Sequence, residues 1–410
     1  MRILAFVFTV LIGFITTDSA RAAHIVGGEA YYSFVSFNAD RTQVTYRIEI
    51  VIYRDNRSIG ADFDDPGLFG IYENIGFWNN IDVVQEEPGP IDPIIPQDDP
   101  CIDEPTNVGV ERTIYEFEYT FDINGNDYMI AYQRCCRNST INNIRDPEDT
   151  GAAYNIVLTH EAQLLGNSSP RFQNFPPIFI CQAFDLSFDH SAVDIDPDGD
   201  VLRYSFCAPL QAGGIESCLI SPCNCPIPNP MFCRPGFDNV VFVPPFSVQI
   251  PLAGDPVVSI NSVDGIISGR PETLGQFVVG VCVEEFRDGV LLSTVRRDFQ
   301  FNVVSCPESV FSAFDLEMIS NDSIVGMDEC SAFAINSCGE SSITISNMSQ
   351  FEANILTYHW TFFNEDGSVL LDEEGGPEIR DLNVTFPGVG QYTGSMILNE
   401  GSVCLSLIHI

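Results

Sequence analysis

The run Asp194-Ile195-Asp196-Pro197-Asp198-Gly199-Asp200 sets four carboxylates at every second position around one glycine, directly ahead of the strand-like Val201-Leu202-Arg203-Tyr204-Ser205-Phe206. Oxygen donors spaced in this way can wrap a hard cation. Calcium is the natural one, because it takes about six to eight oxygens in loose geometry. Asp288, in the turn Arg287-Asp288-Gly289, is a further candidate, so the predicted calcium ligands are Asp194, Asp196, Asp198, Asp200 and Asp288. The same loop also reads as a plain turn into a strand, since Asp and Gly form turns unaided. Both readings stand at this point.

The acidic spacing follows the first half of an EF-hand loop, but Ser205 stands where the closing bidentate Glu belongs and no helical periodicity flanks the loop. Catalytic constellations are missing from the sequence. Ile25-Val26-Gly27-Gly28 invites comparison with the processed start of a chymotrypsin-like protease, yet no Ala-Ala-His-Cys or Gly-Asp-Ser-Gly-Gly follows, and it reads as a strand with a Gly-Gly bend. There is no H-E-x-x-H, G-x-S-x-G or phosphate loop. Glu284 and Glu285 are neighbours on a strand, so they face opposite ways and cannot flank one bond. All 18 basic residues are Arg, which excludes Schiff-base and phosphate-loop lysines.

The elements that must hold these residues are strands. Val44, Tyr46, Ile48, Ile50 and Ile52 alternate with Thr45, Arg47 and Glu49, and Tyr115, Phe117, Tyr119 and Phe121 alternate with Glu116 and Glu118. Their aromatics are expected in a core rather than on a ligand platform. Asn124-Gly125 predicts a hairpin into residues 128–132. Residues 86–105 carry six Pro among acidic residues and predict a long loop. Residues 160–167 read as a linker. The fold class predicted is all-β, as tandem immunoglobulin-like β-sandwiches: a signal peptide over 1–22, an N-terminal sandwich over 23–167, a second with a Cys-rich insertion over 168–306, and a third over 307–410.

Residues 1–22 have the positive start, apolar core and small-residue cleavage site of a secretory signal, and no later apolar stretch is long enough to span a membrane. A secreted or cell-surface location follows, with Cys in disulfides. A net charge of −39 disfavours nucleic acid and anionic membrane as partners. Against those boundaries the first sandwich holds three Cys (101, 135 and 136) and the second seven, so a bridge from Cys181 to Cys135 or Cys136 would make both totals close. The five Cys from Cys207 to Cys233 lack paired C-x-x-C knuckles and predict a disulfide knot rather than zinc.

Beyond the acidic loop come Gly265-Ile266-Ile267-Ser268-Gly269-Arg270-Pro271 and Gly275-Gln276-Phe277-Val278-Val279. Together they resemble the bacterial cadherin-like and putative-immunoglobulin modules of secreted surface proteins, over residues 168–306. Tyr358-His359-Trp360-Thr361-Phe362, Asp366-Gly367 and Pro387-Gly388-Val389-Gly390-Gln391-Tyr392 resemble the polycystic-kidney-disease (PKD) domain in part. His359 is expected to be a surface strand residue. The whole order resembles the front end of large Bacteroidetes surface proteins of the gliding-motility-associated type, of which this chain would be an N-terminal fragment. That resemblance implies a non-enzymatic adhesive or structural role, stiffened by calcium, toward an extracellular surface, glycan or protein ligand. The alternative is the accessory region of a secreted hydrolase or carbohydrate-binding protein.

Overall fold

The computed structural model describes residues 25–57, 62–94, 109–196, 199–305, 323–327, 332–336, 342–345, 355–400 and 406–409. The signal segment 1–22, Cys101 and Asp198 lie outside them. The chain is all-β, as predicted, and forms two compact units, the first made of Met1–Pro96 with Thr106–Val304 and the second reaching from Ser305 to Ile410.

In the first unit the opening strands are β1 (Ile25–Phe37), β2 (Gln43–Asp55), β3 (Gly67–Asn74), β4 (Trp78–Glu86), β5 (Asp92–Ile94), β6 (Val110–Asp122), β7 (Tyr128–Arg134) and β8 (Ala152–Leu158). After the short helix α1 (His160–Leu165) come β9 (Arg171–Phe172), β10 (Phe179–Cys181), β11 (Leu186–Asp189), β12 (Ala192–Val193), β13 (Val201–Phe206), β14 (Ser259–Ile260), β15 (Ile266–Gly269), β16 (Gly275–Arg287) and β17 (Val290–Val304). One eight-stranded sheet runs β13-β16-β17-β1-β2-β6-β5, with β10 added parallel to β17. A four-stranded sheet, β4-β3-β7-β8, and the small sheets β11-β15-β14 and β12-β9 complete the unit. Alternation decides which faces are covered: Val44, Tyr46, Ile48, Ile50, Tyr115, Phe117 and Phe121 are buried while Glu116 and Glu118 are exposed. Side chains of the large sheet, the four-stranded sheet and the small sheets meet in one continuous core.

The boundary expected at residues 167/168 falls inside this unit. β1 pairs antiparallel with β17, Gly28 opposite Asp298, so strands from both expected sandwiches lie in one sheet. Gly27 makes the approach feasible, because a Cβ there would drive into the carbonyl oxygen of Asp298. Strand β8 packs across the seam, against both β1 and β17. The residues read as a linker instead form α1, capped by Thr159 Oγ accepting from Ala162 N and by Gly166 in the left-handed region, with Ala162 and Gln163 buried. Nor does Asn124-Gly125 make a hairpin: β6 pairs with β2 and β5, β7 with β3 and β8, and the chain crosses between sheets there. The Asn124 and Asn126 amides hold Glu73 of β3 at 2.6 and 2.9 Å, which fixes the crossing.

The disulfides also differ from the parity argument. Cys135 and Cys136 bond to each other, Cys207 to Cys282, Cys218 to Cys225 and Cys223 to Cys233; Cys181 is disulfide-bonded too, but to none of these. The two expected sandwiches share one sheet, so counting their cysteines separately does not decide the pairing. Of the expected knot, the two short bridges staple residues 218–233, while Cys207 instead anchors its segment to β16.

In the second unit a six-stranded sheet runs β18 (Ser323–Met327), β19 (Ala332–Asn336), β25 (Ser406–His409), β24 (Thr393–Leu398), β21 (Tyr358–Phe363), β22 (Val369–Gly375), with β20 (Ser342–Ile345) and β23 (Leu382–Thr385) paired apart. Trp360 is its fully buried centre, packed with Ile345, Tyr358, Phe362, Val384 and Met396, and its indole N–H donates to the Ile379 carbonyl at 2.9 Å. His359, one residue earlier, faces outward between Asp372 at 2.7 Å and Glu400, and the hydrogen bond to Asp372 leads in raising its pKa above the ordinary value.

Candidate metal centre

The acidic loop joins β12 to β13, the edge strand of the large sheet. Asp194 folds it. Its Oδ1 accepts from Asp196 N at 2.9 Å and its Oδ2 from Asp200 N at 3.2 Å, while Gly199 supplies a φ of 80° that a side-chain-bearing residue rarely adopts. These bonds hold Asp196 and Asp200 to Asp194 ahead of β13.

Strand β13 pairs antiparallel with β16, Leu202 opposite Glu285, which brings the end of the β16–β17 hairpin beside the loop. Glu285 follows Val281 and Val283 on the buried side of β16 and is itself fully buried, whereas Glu284 faces the other way. One ligand oxygen from each of Asp194, Asp200 and Glu285 lies within 4.8 Å of the others. Two oxygens bound to one calcium at about 2.3–2.6 Å can be no farther apart than about 5 Å, so no pair in the trio is too far apart to share one. Glu285 Oε2 accepts from Asn167 Nδ2 and Ser293 Oγ, both at 2.8 Å, but Oε1 is buried without a hydrogen-bond partner. Burial, with the charges of Asp200 and Asp194 adding to it, pushes this carboxyl up to about 7 against the pull of its two donors. A buried oxygen left bare next to two more carboxylates is costly unless a proton or a cation meets it.

Of the predicted ligands, Asp194 and Asp200 come together. Asp196 turns away, its Oδ2 accepting from Ser168 N at 2.6 Å. Asp288 is exposed on the β16–β17 turn at a φ of 52°, outside the trio, where it lines a hollow of about 660 Å³ shared with Asp200, Arg203 and Arg287. Glu285 is the site residue that the sequence reading misses, because Glu284-Glu285 stands out there only as a possible catalytic pair. Residues 277–283 are apolar and buried on both faces of β16, so the sequence gives no signal for which of the two carboxylates continues inward.

No protein-family model matches the chain, and no curated protein matches it. Among solved structures, the FN1-FN3 domains of chicken CNTN1 are similar at 10% identity over 94% of this chain and 98% of that one, with a TM-score of 0.18. A BSP domain of a biofilm associated protein is similar at 8% identity over 96% and 67%, with a TM-score of 0.15. At those scores neither likeness bears on function, and the fold rests on the strands described above.

Proposed function

We propose that the chain is a non-enzymatic secreted or cell-surface protein with an adhesive or structural role, whose first unit is stiffened by calcium held by Asp194, Asp200 and Glu285. The observation that carries this reading is the bare, buried Glu285 oxygen within 4.8 Å of two further carboxylates. An ion there ties the loop ahead of edge strand β13 to the end of β16, two segments otherwise held by side-chain hydrogen bonds and strand pairing. Stiffening a sheet edge suits a stalk or adhesive module, and the net charge of −39 suits an exposed surface that meets a glycan or protein rather than nucleic acid. No helix among the described residues is long and apolar enough to cross a membrane. The resemblances to cadherin-like, PKD-like and gliding-motility-associated proteins point the same way.

The test is calcium linkage in the whole mature chain, since the loop is part of a unit that begins at β1. Calcium at about a hundred times its dissociation constant stabilises a single-site protein by about 2.7 kcal/mol, or about 5 °C or more for a unit of this size. Melting curves in chelator and in calcium should differ by that order, and Glu285→Gln should remove the difference. Superimposable curves for the unsubstituted chain would reduce the loop to a turn, and turnover of a glycan by the chain would overturn the non-enzymatic reading.

A further inference from the structure

The carboxylate trio already has one cation on its rim. Asp200, 1% exposed, gives both oxygens to a single guanidinium, with Arg287 Nε 2.7 Å from Oδ1 and a terminal nitrogen 2.8 Å from Oδ2. That terminal nitrogen also reaches Asn167 Oδ1 at 2.8 Å, and Asn167 in turn donates to Glu285. A calcium bound by Asp200 would sit within a few ångströms of this positive group, in a place largely closed to water, where like charges repel strongly. A second seat for the guanidinium lies next door. The hollow beside Asp200 is open to the Arg287 side chain and carries the exposed carboxylate of Asp288 on the adjoining turn.

We infer that Arg287 is a displaceable counter-ion that sets the calcium affinity of this site. It balances the carboxylates when no metal is present and swings into the hollow toward Asp288 when calcium takes its place. The inference rests on the calcium reading above. It gives Asp288 a role other than ligand, as the group that receives the displaced guanidinium. Arg287 reaches Asp200 and Asn167 together, so its departure would free both. Arg suits the task, since its fork can grip a carboxylate with two hydrogen bonds and it stays charged at any ordinary pH.

Calorimetric titration of calcium into the whole mature chain and into Arg287→Gln, Asp288→Asn and the double variant tests this. Arg287→Gln should bind about tenfold or more tightly, and Asp288→Asn about threefold more weakly in the native background but unchanged beside Arg287→Gln, the non-additivity expected of coupled neighbours. Equal affinity of the native chain and Arg287→Gln would overturn the inference and leave the calcium site standing. Absence of binding in both would overturn the calcium reading and the inference with it. Should Arg287→Gln fail to fold, the Arg287 Nε–H resonance of the native chain decides: it should move when calcium saturates the protein, and an unmoved signal refutes displacement.

Discussion

His190 is fully buried, with its ring stacked on Phe299 at 5.1 Å, met edge-on by Phe172 at 4.7 Å and by Phe188 at 5.5 Å, and with neither nitrogen hydrogen-bonded. Burial first, and the Arg297 charge second, hold its pKa well below the ordinary value. The folded ring is therefore neutral while an unfolded chain takes up a proton below about pH 6.5. Its contribution to stability is complete above that pH and is lost as the pH falls from there toward the depressed folded value, by up to about 1.4 kcal/mol per pH unit. His190→Phe should fold with a flatter dependence of the urea midpoint between neutral and mildly acid pH; parallel curves for the two proteins would show that the ring does not carry the effect. Nothing in the sequence around His190 announced this, because a lone histidine has no period of its own. Glu285 is equally hidden, since it ends a run that is apolar and buried on both faces and only the pairing of β16 shows which carboxylate points inward.

At the scale of elements, the half-buried strands were legible and their partners were not. β2 and β6 bury the alternate residues that their patterns assign, because a two-residue period is local. Pairing is not local. The contact between β1 and β17 joins segments some 270 residues apart, and the only advance sign was Gly27-Gly28, which reads as a bend in isolation and turns out to be a close backbone approach. The Asn-Gly turn misleads for a related reason: five residues separate β6 from β7, enough to carry the chain to the opposite sheet as readily as back along the same one. The seam that merges the two expected sandwiches should depend on that first glycine. Gly27→Ala must displace β1 or β17, and overpacking of this kind costs about 1–3 kcal/mol, so a drop of that order in urea-unfolding free energy is expected. An unchanged value would mean that the strands can part slightly at no loss.

For the whole molecule, composition gave the charge but not its placement. Several of the 18 arginines are spent inside: Arg137 is buried against Asp298, Arg297 against Glu29, and Arg134 is nearly buried against Asp64. Each is matched there by a carboxylate, so these pairs are neutral and leave the net charge of −39 to the rest of the molecule. Two of those pairs flank the seam between β1 and β17, and removing one partner from such a buried pair costs about 3–5 kcal/mol. The direction of the two strands has a mechanical consequence. They run antiparallel with Gly28 opposite Asp298, so the start of β1 and the end of β17 emerge at the same edge. Tension applied between residues 25 and 304 therefore peels the two strands apart from that edge, as a zipper, instead of shearing all their contacts at once. Glu29 and Arg297 stand just inside the opening, as its first catch. A force-extension trace should show an early, low yield at the seam, raised little by pulling faster; a single high rupture peak would mean that the load passes through β2 and β16 instead.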